Sequence, residues 1–190
     1  ILELGGNNAI IITPSADLGL ALRAVLFGAV GTAGQRCTST RRIIIHRSIR
    51  DQFVERLVGA YRTIRIGDPR KSDTLMGPLV TTQAVEDVLR AIKHVKEQGG
   101  EILCGGEKLS GPGYPGGHYM TPCIAAARNE LPIVQEETFG PILYVIDYGN
   151  RSASAASAVD EVEEAIRYQN DVPQGLSSAI FSQNVIETET

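Results

Sequence analysis

Cysteine is scarce in this sequence. Its 190 residues carry three, Cys37, Cys104 and Cys123, set far apart. That spacing excludes a disulfide framework and fits reduced thiols in a reducing compartment, the cytoplasm or the mitochondrial matrix. No Cys-x-x-Cys occurs, and His46, His94 and His118 lack ligand spacing, so no metal site is expected. No basic stripe extends beyond Arg41-Arg42, and the net charge is −4, which argues against nucleic acid as the main partner. No apolar run approaches a membrane span. The longest β-branched runs, Ile10–Thr13 and Ile43–Ile45, are strand-sized. No signal peptide is evident, and Ile1 already stands inside a motif. There is no internal repeat and no second domain. What remains is an ordinary globular composition, 43% hydrophobic and 21% charged, long enough for one domain with a substantial core.

One of the three cysteines has an unusual setting: Gly31-Thr32-Ala33-Gly34-Gln35-Arg36-Cys37-Thr38. Glycines let the backbone turn sharply and approach a ligand closely. The thiolate is the reactive form, and Arg36 is placed to favour it. Backbone N–H groups freed in such a turn can bind a developing oxyanion. Cysteine is also among the most often buried residues, so spacing alone leaves plain packing as the commoner reading of Cys37.

Around this turn, strands and helices alternate. Asn8–Thr13 reads as a buried strand, and Leu18–Val30 as a helix capped by Asp17 or Ser15. Arg41–His46 is the next strand. Ser48 is expected to cap a helix running to about Ile64, with Phe53, Val54, Leu57, Val58 and Tyr61 as its core stripe. Thr82–Gln98 is amphipathic and stops at Gly99-Gly100. Glu101–Cys104 is a short strand, and the Gly- and Pro-rich stretch 105–117 is a surface excursion. Tyr119–Ala127 reads as one strand, placed at a sheet edge by Pro122. Cys104 and Cys123 sit in apolar strand patterns and read as inert packing. Ile142–Tyr148, a helix over about 159–169 and a strand over 176–181 complete the pattern, with a loop at 151–157. This alternation predicts an α/β layered domain over residues 1–182 with a mainly parallel sheet flanked by helices. Residues 183–190 are a polar tail.

Three further stretches stand at meaningful distances from Cys37: Glu3-Leu4-Gly5-Gly6-Asn7-Asn8, Glu136-Glu137-Thr138-Phe139-Gly140-Pro141 and Gln174-Gly175-Leu176-Ser177-Ser178. Glu3 precedes Cys37 by 34 positions. Taken bare, Glu3 is a surface carboxylate near a chain end, and the Glu136-Glu137 pair is solvent-exposed. The four stretches in this order resemble the signatures of the aldehyde dehydrogenase superfamily. Asn7-Asn8 and the run from Ala29 to Thr38 are similar to its antiquitin-like branch, which oxidises α-aminoadipic semialdehyde.

The resemblance implies a chemistry. Cys37 would be the nucleophile, forming a thiohemiacetal that expels hydride to a nicotinamide ring and leaves a thioester for water to hydrolyse. The Cys37 N–H would be one oxyanion donor, and Glu3 the general base for the water. Glu137 and Phe139 would hold the nicotinamide ribose, with Glu136 less clearly involved, and Gly5 and Gly6 would let the backbone pass close to the ring. The implied cofactor is NAD, with NADP open because the adenosine-ribose site that decides between them lies outside these residues; Gly28-x-x-Gly31-x-x-Gly34 is not a dinucleotide fingerprint. The implied partners are a small aldehyde and further copies of the chain, as dimer or tetramer. The regions expected to hold adenosine, and to complete the substrate pocket, lie outside these residues. The segment alone is therefore expected to bind NAD poorly and turn over little. Two other readings fit the same residues: a cofactor-independent thiol esterase, and a non-catalytic module of the same fold.

Overall fold

A computed structural model describes residues 4–149 and 158–189. Glu3 and the expected loop at 151–157 lie outside the described residues. The main sheet has six strands: β1 (Asn8–Ile12), β2 (Thr40–His46), β3 (Glu101–Cys104), β6 (Cys123–Ala126), β7 (Ile142–Tyr148) and β8 (Ser178–Phe181). Their order is β3-β6-β7-β2-β1-β8, and every pairing is parallel except β3 with β6. Two short strands, β4 (Lys108–Leu109) and β5 (Tyr119–Met120), pair separately. The expected α/β layered architecture is therefore present. Strands β1, β2 and β7 run through the core and are almost wholly buried. Burial on both faces explains why they read as continuous apolar runs with no alternation.

Helix α1 (Leu18–Val30) follows β1. Asp17 begins it: Oδ1 accepts from the N–H groups of Gly19 and Leu20 at 2.8 and 2.9 Å. These bonds, Leu20 first, hold the carboxyl below its ordinary range. Helix α2 (Arg47–Arg62) is capped differently from expectation. The cap is His46, the last residue of β2, whose Nδ1 accepts from the N–H of Ser48. The chain turns directly from strand into helix, so Ser48 is already inside the first turn. Helix α3 (Thr82–Glu97) starts at Thr81, whose hydroxyl accepts from the Ala84 N–H at 3.1 Å.

Residues 119–127 do not form one strand at an edge. β5 pairs with β4, and β6 lies inside the main sheet between β3 and β7. Pro122 falls in the break between β5 and β6, so its missing N–H costs no ladder bond. The last strand also starts later than expected, at Ser178, because the Ser177 N–H is committed to the Asn8 side chain at 3.0 Å. Cys123 is fully buried, and burial pushes its thiol up to about 12. A short helix, α4 (Pro132–Gln135), precedes β7; α5 (Ala158–Asn170) packs on β1, β2 and β7; and α6 (Val185–Glu189) ends the described chain. The buried Glu187 carboxylate accepts from the Ser15 hydroxyl and from Ser182.

Candidate active site

Each of the four singled-out stretches immediately precedes a parallel strand: β1, β2, β7 and β8 respectively. These four strands are neighbours in the sheet, in the order β7-β2-β1-β8. Parallel pairing puts their amino ends on one edge. Segments up to 170 residues apart in sequence are thereby brought together by topology alone.

The Cys37 turn departs from helical geometry as soon as α1 ends. Thr32, Ala33 and Gly34 take φ values of 56°, 53° and 68° in succession. Two of them carry a Cβ, and the left-handed region costs such residues about 1 kcal/mol or more each. Surrounding contacts must hold this conformation. Gly34 packs so tightly on Gly140 that an added Cβ would collide with the Gly140 carbonyl. Gln35 staples the turn to the loop before α3, donating to the Pro78 carbonyl and accepting from the Val80 N–H at 2.8 Å. Cys37 emerges half-buried with a free thiol. Among the described residues its N–H has no acceptor.

Asn8 fixes the other side of Cys37. Its amide donates to the Cys37 carbonyl at 2.7 Å and to the Ser39 carbonyl at 2.8 Å, and its oxygen accepts from Ser177. One side chain thus ties the first stretch to the second and the fourth. Gly6 passes so close to Cys37 that a Cβ there would collide with the Cys37 carbonyl. Gly5, at φ 76°, would bring a Cβ to 2.5 Å from Glu137 Oε2. Both glycines are therefore required by the internal packing of the site.

Arg41 joins the remaining pieces. It is 1% exposed, yet it carries a full charge. Its guanidinium donates to the carbonyls of Gly6, Gly34, Arg36 and Thr138 at 2.8–3.0 Å, and to Glu137 Oε1 at 2.6 Å. It also lies 5.2 Å from the centre of the Phe139 ring. Burial lowers the Arg41 pKa; Glu137 opposes that, and a charge on Cys37 does so more weakly. Arg36 was expected to be the cation serving the thiol, but its side chain is exposed and water screens it. The buried Arg41 instead holds the backbone of the turn, through the Gly34 and Arg36 carbonyls.

The structure also separates the two adjacent glutamates. Glu136 is exposed, while the Glu137 carboxylate is only 16% exposed and held by Arg41. Oε1 is taken by Arg41, whereas Oε2 has no donor among the described residues. Phe139 beside it is 36% exposed. An open carboxylate oxygen next to an accessible ring suits a sugar carrying hydroxyls. Arg41 and Asn8 were missed as site residues from sequence, as was Arg42, which anchors α5 by donating to the Tyr168 and Gln169 carbonyls. The available signal was two arginines opening an isoleucine-rich strand. Glu3 lies outside the described residues.

The sequence pattern described as "Aldehyde dehydrogenase family" matches residues 1–190. A protein named as a putative aldehyde dehydrogenase family 7 member A1 homolog, from Dictyostelium discoideum, is 45% identical over 97% of this chain and 33% of its own length. The α-aminoadipic semialdehyde dehydrogenase of Rattus norvegicus is 45% identical over 97% of this chain and 32% of its own. The crystal structure of betaine aldehyde dehydrogenase from Staphylococcus aureus, in complex with NAD+, superposes with a TM-score of 0.89 at 31% identity, covering 99% of this chain and 35% of that one. Lactaldehyde dehydrogenase from Escherichia coli gives a TM-score of 0.86 at 35% identity, covering 99% and 37%. The chain spans about a third of the length of these relatives.

Proposed function

The chain belongs to the aldehyde dehydrogenase family, and from that premise we propose that it is the catalytic part of a longer enzyme that oxidises an aldehyde to a carboxylate with a nicotinamide cofactor. The observation that carries this reading is the convergence of four distant stretches on a half-buried thiol whose backbone is pinned on both sides. Cys37 Sγ attacks the aldehyde carbon, and the unpaired Cys37 N–H is available to the oxygen that gains negative charge. Glu137 Oε2 and the Phe139 ring fit a cofactor ribose, the first as acceptor and the second as apolar support. When bound, the nicotinamide supplies the acceptor for the two electrons and the hydrogen lost from the aldehyde carbon. Cys37 is left carrying an acyl thioester, which water hydrolyses. Glu3 is assigned the activation of that water on its motif alone.

NAD is the proposed cofactor because a relative of this fold is named in complex with NAD+; NADP is the alternative. A semialdehyde is the proposed substrate because relatives at 45% identity are named for α-aminoadipic semialdehyde. A homo-oligomer of the full-length chain, in the cytoplasm or mitochondrial matrix, completes the proposal. Among the described residues no helix is long and apolar enough to cross a membrane.

The test is NADH formation by the full-length chain with α-aminoadipic semialdehyde against simple aldehydes, beside Cys37→Ala. The expected result is Cys37-dependent turnover that prefers the semialdehyde. Turnover with simple aldehydes only would discard the substrate. Cofactor-free ester hydrolysis with no aldehyde oxidation would replace the reaction by thiol esterase chemistry. No Cys37-dependent turnover of any kind would overturn the enzymatic reading.

A further inference from the structure

The stretch holding Cys37 and the stretch holding Glu137 are about a hundred residues apart; they pack at Gly34 and Gly140, and one buried side chain hydrogen-bonds to both. We infer that Arg41 is a positioning residue that couples the nucleophile's turn to the cofactor-side carboxylate, so that the two halves of the site are set as one unit. This rests on the function proposed above.

A guanidinium has five N–H donors in a fixed fork. In Arg41 all five are used. Both hydrogens on Nη1 go to the Gly34 and Thr138 carbonyls, at 3.0 and 2.8 Å. Those on Nη2 go to the Arg36 carbonyl and Glu137 Oε1, at 3.0 and 2.6 Å. The Nε hydrogen is shared between Gly6 O and Glu137 Oε1, at 3.0 and 3.1 Å. Nothing is left over to bind a ligand, so the role of Arg41 is to hold its neighbours.

What it holds is specific. Gly34 closes the left-handed run and Arg36 precedes the nucleophile, so two of the carbonyls belong to the strained turn. Gly6 is the residue packed on the Cys37 carbonyl. On the other side, the bond to Oε1 fixes the carboxylate, with Oε2 left against Gly5. A shift in the turn must therefore move the carboxylate, and the reverse. Lysine cannot substitute: its ammonium is a single point with three donors and cannot span four carbonyls and a carboxylate.

The coupling is also electrostatic. Glu137 neutralises the Arg41 charge across 2.6 Å, and Arg41 in turn holds the Arg36 carbonyl, one residue before Cys37, at 3.0 Å. Removing the Glu137 charge leaves the buried Arg41 cation without its counter-charge, and the carbonyls of the Cys37 turn that Arg41 holds must readjust. Replacing Arg41 by lysine loosens the turn and frees the carboxylate together.

The experiment uses the full-length chain and two readouts that do not require aldehyde turnover: alkylation of Cys37 by iodoacetamide without cofactor, and NAD binding by titration calorimetry. In Glu137→Gln, the Cys37 alkylation rate should change several-fold, although Glu137 is separated from it by Arg41. In Arg41→Lys, alkylation should slow and NAD should bind about tenfold more weakly, together with a raised NAD KM. The double variant should bind NAD no worse than Arg41→Lys, because coupled groups are not additive. Unchanged alkylation in Glu137→Gln, or NAD losses that add in the double variant, would overturn the coupling. If Arg41→Lys does not fold, the Glu137→Gln alkylation rate decides alone. A full-length wild type that neither binds NAD nor oxidises an aldehyde would sink the proposed function, while the alkylation result would still decide the link through Arg41.

Discussion

Asn8 gives the most direct handle on how the site is held. It makes three bonds: two donated to the Cys37 and Ser39 carbonyls and one accepted from the Ser177 N–H. Asn8 itself is 3% exposed and the Ser39 bond is buried, so water replaces the lost partners poorly. Each net hydrogen bond is worth about 0.5–1.5 kcal/mol, and a buried group left unpaired costs more. Asn8→Ala should therefore weaken the local structure by roughly 2–4 kcal/mol. The assay is amide hydrogen exchange in the full-length chain, read on the peptides containing Ser177 and Cys37. A local loss of about 2 kcal/mol speeds exchange roughly thirtyfold.

Asn8→Asp sharpens the test. It keeps the shape but replaces two donors with an oxygen facing two carbonyl oxygens. Those carbonyls raise the carboxyl pKa in the folded state above its unfolded value of about 3.9. The folded state then holds a proton that the unfolded state has lost, so stability falls as pH rises from about 4 through the raised folded value. The variant should stand closest to wild type near pH 4 and be most damaged at pH 7. Wild-type protection of Ser177 in Asn8→Ala, or a pH-independent Asn8→Asp, would refute the claim that this amide pins the Cys37 backbone.

Two other positions test the backbone of the site. Gly6→Ala drives a Cβ into the Cys37 carbonyl, and displacing a nucleophile by about 1 Å costs on the order of a hundredfold in rate. A folded Gly6→Ala enzyme with normal kcat in a steady-state NADH assay would contradict the packing. Thr32→Gly removes the Cβ from a residue at φ 56°, and should raise stability by up to about 1 kcal/mol despite deleting a side chain. A lower unfolding midpoint would show that the Thr32 side chain holds the turn, its hydroxyl bond to the Gly31 carbonyl being the candidate.

Much of the fold was legible because the signals were local. The apolar density of Leu18–Val30, with Asp17 ahead of it, located α1 to the residue. The amphipathic pattern of Thr82–Gln98 did nearly the same for α3. Errors came where a side chain overrode a local signal. Ser48 looks like a cap, but the imidazole of His46 reaches the N–H first. Ser177 looks like strand, but Asn8 removes its N–H from the ladder. Pro122 signals an edge only if its strand is continuous, and here the strand is broken at that residue. Arg41 and Arg42 read as a minor basic pair because charge in a sequence suggests surface. In a strand buried on both faces, consecutive residues point to opposite sides. Each buried charge must then find its own partners. Arg41 finds the loops at the amino edge, and Arg42 finds α5. Two adjacent charges inside a buried strand are thus a sign of two anchoring sites, one on each face.

The location of the site follows from the same logic. In open α/β sheets the usual place for a ligand is the carboxyl edge of the strands. This sheet has a cleft of about 380 Å³ lined in part by Arg47, Asp147 and Tyr168, with Arg47 just past the end of β2 and Asp147 near that of β7. None of the four singled-out stretches lines it. They converge instead at the amino edge, where each loop delivers its residues immediately before entering a strand. A loop entering a buried parallel strand is fixed by the first ladder bonds, so the residues just before it inherit the strand's rigidity. Cys37 stands three residues ahead of β2, and Gly140 two ahead of β7. Cys37 thus sits on a strained turn that the sheet holds from one side and α1 from the other. A rule drawn from fold class alone would choose the carboxyl edge. The residues singled out by their motifs, joined by Arg41 and Asn8, put the proposed site at the amino edge instead.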